Sequence, residues 1–407
     1  MAALSLETPW TPYPLTFDPL LRAYRFGGRA LAGWGKALPP NGAAESWEVS
    51  PYPGLPGRIA AGALAGGSLQ EASARWPGEL GSAGKPGFPF LLKILDVASN
   101  LPVHVHPSDA QACDLPGRDP GKEEAWLVLE AEPDAVVHLG FLPGATAGDI
   151  ADLARAGRAA EAMQAFAVRA GDAVLVPPGT AHAARGIVFL EVQQVSDRSI
   201  FADPRDVWGA PWPEGRFERE LETFLRVARI GPAETRPVSP APLGAGRLLA
   251  AAGPHFSLER VRADGTYTPR SGPVAVTNLG DPTRMTHGVQ SVSLGHGQSV
   301  VLPRSLTGTA WQILGAAPAD LAESGIATPA ELRREAEAAM GAADARERLA
   351  PLFPGRDDGS PHTAQGRTKR RYGSPLRPSA GAPSGRSSPN PSSQPPATES
   401  SRSRFSS

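Results

Sequence analysis

The sequence predicts a protein dominated by β-structure, with a small helical insertion. Short apolar runs bounded by turn residues recur through the first two-thirds of the chain, a pattern typical of β-sandwiches and barrels. A similar series follows a proline-rich connection near 231–246. The first series comprises FPFLLKIL, EAWLVLE, DAVVHLGF, DAVLVPP and GIVFLEVQQV. The second comprises FSLERVRA, PVAVTNLG, QSVSLG, QSVVLPRS and AWQILGA.

One helical segment interrupts the first series, TAGDIADLARAGRAAEAMQAF near 146–166. Its apolar residues recur at helical spacing, and Asp149 is its expected N-cap. Gly157 weakens the pattern and is expected to divide the segment into two short helices. The second of these would run through Phe166, with Met163 on its apolar face.

The same patterns predict how the chain is organised. A closing helix is expected with Thr328 as N-cap and Pro329 at its first position. The final stretch is rich in Ser, Pro and Arg and has few apolar residues, so we expect it to be disordered. The predicted segments are a β domain with an N-terminal extension at 1–214, a second β domain at 215–320, a C-terminal helix at 321–354 and a disordered tail at 355–407.

Composition limits the classes of function. The formal net charge is −1, which predicts no nucleic-acid or membrane partner. Cys113 is the only cysteine, which excludes an internal disulfide and a thiolate-rich zinc site and favours a cytoplasmic protein. The N-terminal residues do not follow the pattern of a signal peptide, and no apolar run approaches the roughly 20 residues that a membrane span needs.

The stretch LPVHVHP, residues 101–107, places two histidines one residue apart in a chain that has 8. In a strand His104 and His106 share one face, since successive side chains point to opposite faces. Both rings could then bind one metal ion at about 2.0–2.1 Å, the usual Zn–N distance. Taken alone, the pattern is equally compatible with two hydrogen-bonded histidines.

A second motif, GDAVLVPPGTAH, lies downstream. The spacing of Gly171, Pro177, Gly179 and His182 resembles the second signature of the cupin superfamily. The two earlier histidines followed by Glu124 resemble the first signature, with a longer insertion. Three histidines and a glutamate would form a site for one divalent metal ion, with zinc expected and iron or manganese as alternatives.

Four further stretches occur in order around these motifs: AAESWEVSPYP, FPFLLKILD, GKEEAWLVL and LEVQQVSD. Together they are similar to type I mannose-6-phosphate isomerases of the short bacterial form, over about 15–320. The resemblance implies two cupin domains of double-stranded β-helix or jelly-roll fold, of which 1–214 is catalytic. It also implies a metal-dependent aldose–ketose isomerase that interconverts mannose 6-phosphate and fructose 6-phosphate through an enediolate.

The resemblance also implies roles for individual residues. The metal ligands would be His104, His106, Glu124 and His182, with His104 standing where the family usually has Gln. The catalytic residues would be Lys122, Asp197 and Arg198, and the substrate-binding residues Lys93 and Arg205. Outside the resemblance, Lys122 could equally be a surface lysine, Asp197 a turn cap and Lys93 a residue that extends its amine to water.

Two positions depart from the family pattern. Phe201 stands where an arginine is usual, and Pro102 stands where a serine offers a candidate phosphate contact. Arg198 and Arg205 lie nearby in sequence and are expected to supply the missing charge. Whether these departures abolish activity is left open by the sequence.

Two alternative functions follow from the same residues. One is a metal-binding cupin without catalysis, such as a sugar sensor. The other is an Fe(II)-dependent cupin oxygenase, which a site with three histidines and a glutamate would suit. For the isomerase we expect a small phosphosugar substrate and a monomer or weak homo-oligomer.

Overall fold

The structure is a computed structural model that describes residues 10–82, 86–315 and 318–353. It is built mainly from antiparallel strands, as predicted. In chain order they are β1 (Leu15–Asp18), β2 (Leu20–Arg22), β3 (Glu45–Val49), β4 (Arg58–Ile59), β5 (Leu91–Val97), β6 (His104–Val105), β7 (Glu124–Phe141), β8 (Met163–Ala167), β9 (Ala173–Val176), β10 (His182–Gln193), β11 (Ile200–Phe201), β12 (Ala241–Gly244), β13 (Arg247–Ala252), β14 (Ser257–Ala263), β15 (Thr266–Tyr267), β16 (Val274–Asn278), β17 (Thr283–His287), β18 (Gln290–Leu294), β19 (Ser299–Leu302), β20 (Trp311–Leu314) and β21 (Ala319–Gly325).

Helices are short. Of those in the part of the chain that the structure describes, four lie among the strands of the first series, one follows that series and two follow the last strand. They are α1 (Leu69–Arg75), α2 (Pro77–Leu80), α3 (Asp109–Ala112), α4 (Ala147–Arg155), α5 (Arg216–Val227), α6 (Pro329–Met340) and α7 (Ala342–Leu349). None of the helices in the described ranges is long and apolar enough to cross a membrane.

The first large sheet has the strand order β11-β6-β10-β5-β3-β2, and β7 pairs with β10, β8 and β9. The long strands β7 and β10 lie side by side, with register shifts after Arg185 and Val188. Such β-bulges bend strands and let a sheet curl around an interior. This curled sheet carries the motifs that the sequence singled out.

The second large sheet has the order β12-β13-β14-β21-β16-β19-β1-β4, and a smaller sheet has the order β15-β20-β17-β18. The N-terminal strand β1 pairs with β19, with Leu15 opposite Val301. The N-terminal extension therefore contributes to the sheet of the second strand series. The largest apolar core contains side chains from both series, such as Leu127 and Leu249. The division into domains at 214 remains a prediction.

The helical insertion differs from the prediction in two details. Thr146, not Asp149, is the N-cap of α4, and Asp149 completes a capping box from the third helical position. The segment that was expected to form a second helix begins with a single 3-10 turn, Ala159–Ala162, but then forms β8, with Phe166 opposite Val137 of β7. The exposed edge of β7 supplies backbone hydrogen-bond partners there, which outweighs the helical periodicity.

Two further boundaries differ from the sequence prediction. The second β series was expected to begin at 215, but α5 begins at Arg216 and packs its buried Leu221 and Phe224 in a core cluster that also contains Ile150 of α4. Thr328 caps α6 and Pro329 is its first residue, as predicted. The C-terminal helix is divided into two at Gly341, where φ is +88°. The predicted disordered tail at 355–407 lies outside the described residues.

Candidate metal centre and active site

Three histidines converge inside the curled sheet. His104 on β6 lies directly opposite His182 on β10, and Phe201 on β11 lies opposite His104 from the other side. The ring centroids of His104 and His182 are 4.0 Å apart, and that of His106 is 5.0 and 4.9 Å from them. One ligand nitrogen from each of the three rings lies within 4.8 Å of the others, and all three residues are buried.

Backbone carbonyls fix the orientation of each ring. The Nδ1 atoms of His104, His106 and His182 contact the carbonyl oxygens of Pro102, Arg198 and Thr180 at 2.8, 2.7 and 2.9 Å. A carbonyl can only accept a hydrogen bond, so each Nδ1 carries the proton and each Nε2 presents a lone pair. This arrangement is typical of histidines that bind a metal through Nε2.

Glu124, at the start of β7, completes the group. Its Oε2 lies 3.1 Å from His106 Nε2, and its Oε1 lies 3.1 Å from His182 Nε2. His106 Nε2 and His182 Nε2 are buried and have no hydrogen-bond partner among the described residues, and Glu124 Oε2 is also paired with the amine of Lys122 at 2.7 Å. In a buried interior without water, the Nε2 lone pairs of the two histidines and the negative charge of Glu124 repel one another unless a cation lies between them. The donor set therefore fits a divalent metal.

Protonation states agree with this assignment. Burial lowers the pKa of His106 to about 3, and the pKa of His104 is also well below its ordinary value, chiefly because of burial. Burial opposes the charge on Glu124, but Lys122 and the two histidines hold its pKa well below the usual range. Neutral imidazoles beside an ionised carboxylate are the states that bind a metal cation.

A cavity of about 310 Å³ opens beside these ligands. This volume lies at the lower end of the range of small-molecule sites, about 300–1,000 Å³. The lining includes the predicted residues Lys93, His104, Lys122, Glu124 and Asp197. It also includes, among others, Arg22, Tyr24, Glu45, Trp126, Glu191, Phe201, Asp206, Trp208, Trp212 and Arg216.

Lys93 lies in the middle of β5 and is almost fully buried. Its Nζ lies 3.7 Å from Glu45 and Glu191, 4.0 Å from Asp197 and 4.5 Å from the centre of a Trp47 ring. Burial opposes its positive charge, but the surrounding carboxylates outweigh that effect and raise the pKa of Lys93. Lys93 is therefore a charged group inside the cavity.

Lys122 connects the metal ligands to the rest of the cavity. Its Nζ lies 2.7 Å from Glu124 Oε2 and 3.7 Å from Glu191 Oε1. Asp197 lies at the more exposed side of the cavity, and burial raises the pKa of its carboxyl group. The predicted Lys93, Lys122 and Asp197 thus meet in one place.

Glu191, which the sequence patterns did not single out, lies directly opposite Lys93 across β10 and β5. Its Oε1 is buried and has no hydrogen-bond partner among the described residues. Burial and the charge of Glu124 raise the pKa of Glu191 to about 7. The signal was available, since a lone carboxylate inside the apolar run GIVFLEVQQV is as costly as the lysine that was noticed in FPFLLKIL.

Two predicted arginines are not brought into the cavity. The guanidinium of Arg205 donates to the carbonyl of Gly209 at 2.8 Å within its own loop. The guanidinium of Arg198 lies beside Gly117, and only its carbonyl reaches the centre, through His106. Backbone direction, which the sequence does not reveal, turns both side chains away.

Comparison with known proteins agrees with this geometry. The model of the type I phosphomannose isomerase catalytic domain matches residues 18–125. A mannose-6-phosphate isomerase of Streptococcus mutans is 29% identical over 296 residues, which cover 71% of this chain and 91% of that protein. The mannose-6-phosphate isomerase ManA of Bacillus subtilis is 32% identical over 188 residues, which cover 46% of this chain and 59% of that protein.

Solved structures share the fold. The mannose 6-phosphate isomerase of Bacillus subtilis matches with a TM-score of 0.67 at 22% identity, over 77% of this chain and 100% of that one. A zinc-bound mannose 6-phosphate isomerase matches with a TM-score of 0.61 at 17% identity, over 78% of this chain and 100% of that one. With its ordered motifs and its buried histidines and glutamate, the chain is similar to the type I phosphomannose isomerases and shares the fold of their solved structures.

Proposed function

We propose that the protein is a metal-dependent isomerase that interconverts mannose 6-phosphate and fructose 6-phosphate. The observation that carries the proposal is a buried group of three histidines and one glutamate that opens onto a cavity lined by Lys93, Lys122 and Glu191. The relatives that match by sequence bear the name of this activity.

His104, His106, Glu124 and His182 would hold one zinc ion. The fit rests on His106 Nε2 and His182 Nε2, which have no hydrogen-bond partner among the described residues, and on the adjacent carboxylate of Glu124. A solved relative is described as zinc-bound. Zinc would act as a Lewis acid that polarises the substrate carbonyl. Imidazole at His104 in place of an amide keeps a metal ligand.

Interconversion of an aldose and a ketose moves a proton between adjacent carbons. Glu191 is the base that we assign to this transfer, because its pKa of about 7 lets it accept and return a proton near neutral pH. Lys122, with its amine 3.7 Å from Glu191, would stabilise the negative oxygen of the enediolate.

The remaining predicted groups act on the rest of the sugar. Asp197 lies on the more open side of the cavity, where we assign it to proton transfer during ring opening. Lys93 is held by three carboxylates and would donate hydrogen bonds to sugar hydroxyls. The structure does not support direct roles for the guanidinium groups of Arg198 and Arg205.

The two alternative functions, a sugar sensor and an Fe(II) oxygenase, are less well supported. A binding protein has no need of a buried carboxylate with a pKa near 7 beside two lysines. An oxygenase requires a redox metal, whereas the named relatives are isomerases.

A coupled assay for fructose 6-phosphate formed from mannose 6-phosphate tests the proposal. Activity should disappear on chelation and return when Zn²⁺ is added, and His182→Ala should abolish it together with stoichiometric zinc binding. His255→Ala is a matched control, since that histidine is outside the group of ligands. A folded, zinc-loaded protein without turnover would contradict the proposed function.

A further inference from the structure

Resting on the proposed function, we propose that Arg22 and Arg216 form the phosphate-binding subsite of the cavity. Neither residue was singled out by the sequence, and both line the cavity. Arg22 is the last residue of β2, and Arg216 is the first residue of α5. The fold therefore brings two distant parts of the chain to the lining of one cavity.

The donors of both guanidinium groups are largely uncommitted. Arg22 uses only Nε, which donates to the Tyr24 hydroxyl at 3.1 Å, and no ion pair within the described residues engages its terminal nitrogens. The guanidinium of Arg216 lies over the ring of Trp212 at 5.1 Å, and within the same ranges no hydrogen bond or ion pair involves that guanidinium. A planar guanidinium with free donors suits two-point binding of a phosphate.

The two lysines of the cavity are poorer candidates. Lys122 is paired with Glu124 at 2.7 Å, and Lys93 is surrounded by three carboxylates within 4.0 Å. A phosphate monoester carries a charge of about −1.5 to −2 at pH 7, so placing it there would set like charges side by side. The phosphate is therefore better accommodated away from this inner group.

Pro102 and Phe201 do not supply phosphate donors near the metal centre either. Pro102 has no N–H, and its carbonyl is occupied by His104 Nδ1 at 2.8 Å. The ring of Phe201 packs against His104 with centroids 5.6 Å apart. Arg22 and Arg216 are therefore the cations of the cavity lining that form no ion pair within 4.0 Å in the described residues; the charges of Glu45 and Asp197 act on Arg22, and that of Glu220 acts on Arg216, only from farther away.

The different exposure of the two arginines and the metal ligands indicates how a substrate would be oriented in the cavity. Arg216 is exposed and Arg22 is half-buried, whereas the metal ligands are buried. A phosphosugar would therefore place its phosphate at the mouth and its reacting carbons at the buried metal centre. Aromatic side chains between the two ends, such as Tyr24 and Trp212, would contact the sugar.

The test compares Arg22→Gln, Arg216→Gln and the double variant with Arg226→Gln on zinc-loaded protein. Arg226 lies on the same helix, is exposed and does not line the cavity. Each single variant should raise KM and the calorimetric Kd for mannose 6-phosphate about 10- to 100-fold, because each loses charge-assisted hydrogen bonds. Turnover of high concentrations of unphosphorylated mannose should be unchanged in all variants.

The outcomes separate this proposal from the proposed function. A double variant with wild-type KM and Kd for mannose 6-phosphate would overturn the subsite and leave the isomerase assignment in place. An equal loss for mannose and mannose 6-phosphate would also overturn it, since the arginines would then act on the sugar or the fold. A wild-type protein that binds mannose 6-phosphate through both arginines without converting it would support the subsite and contradict the isomerase.

Discussion

The protein buries two clusters of charged side chains, one in each strand series, and the clusters differ in how their charges are satisfied. In the first, around the cavity, Lys93 and Lys122 each approach Glu191 Oε1 only at 3.7 Å. That oxygen, His106 Nε2 and His182 Nε2 have no hydrogen-bond partner among the described residues.

The second cluster lies between β13, β14 and β21, and its charged groups are paired with one another. Arg247 donates to Glu259 at 2.8 Å and to Glu323 at 3.1 Å. Arg270 also donates to Glu259, and the hydroxyl of Tyr267 donates to Glu323. Within the described ranges, no oxygen of these two carboxylates is buried without a partner.

The difference indicates that the first cluster serves binding or catalysis and that the second stabilises the fold. Buried polar groups are normally paired, and a native protein retains unpaired ones chiefly where a metal, a ligand or a reaction will use them. The first cluster is incomplete without a ligand, whereas the second is complete within the protein. Three substitutions test this contrast.

The largest effect is expected for Glu191→Gln in the first cluster. The amide cannot accept the proton, so kcat for mannose 6-phosphate should fall about 10²- to 10⁴-fold, the usual contribution of a general base. The free energy of unfolding should not decrease, because the variant removes a buried carboxylate that lacks a hydrogen bond at one oxygen. Steady-state kinetics and urea unfolding measure both quantities. A kcat close to that of the wild type would show that Glu191 is not the base of the reaction.

The opposite result is expected for Glu259→Gln in the second cluster. Arg247 and Arg270 would lose a buried charged partner, and such a loss typically costs about 3–5 kcal/mol of stability. The kcat of the folded variant should stay close to that of the wild type, since Glu259 does not line the cavity. Urea unfolding with assays well below the transition checks this prediction. A stable variant with greatly reduced kcat would show the opposite, namely that Glu259 contributes to catalysis and not to stability.

A smaller, pH-dependent effect is expected at Glu123, which lies next to Glu124 but outside the cavity lining. Its Oε2 is buried and has no hydrogen-bond partner in the described part of the chain, and burial, with the charge of Asp109, raises its pKa to about 7 from 4.5. The folded protein therefore keeps this proton up to about pH 7, whereas the unfolded chain releases it near pH 4.5. Stability should fall as pH rises through this window.

Glu123→Gln should remove that dependence and be more stable than the wild type at pH 8, by on the order of 3 kcal/mol. Unfolding in urea at pH 5 and pH 8 measures the difference, and Glu222→Gln on the surface of α5 is the control. The kcat should not change, because Glu123 does not line the cavity and therefore does not contact the substrate. Parallel pH dependence in the wild type and Glu123→Gln would show that another group is responsible.

Much of the site was predictable because its residues break local patterns. Two histidines alternate with apolar residues in LPVHVHP, and Lys93 interrupts an apolar strand. The motif that ends in His182 has a spacing that specifies a strand, a turn and a strand. Burying such polar groups is costly, so their presence in apolar strands already indicates a functional interior.

The sequence by itself determined the β-rich fold class and indicated His104, His106 and His182 as candidate metal ligands, because alternation and motif spacing can be read within short segments. Only the tertiary structure decided that β1 joins the second sheet, that residues 163–167 form a strand, and that Arg22 and Arg216 line the cavity while Arg198 and Arg205 turn away. These outcomes depend on which sheet edges are open and on where distant backbone segments meet. Local propensity carries no information about such contacts, which form only when the whole chain packs.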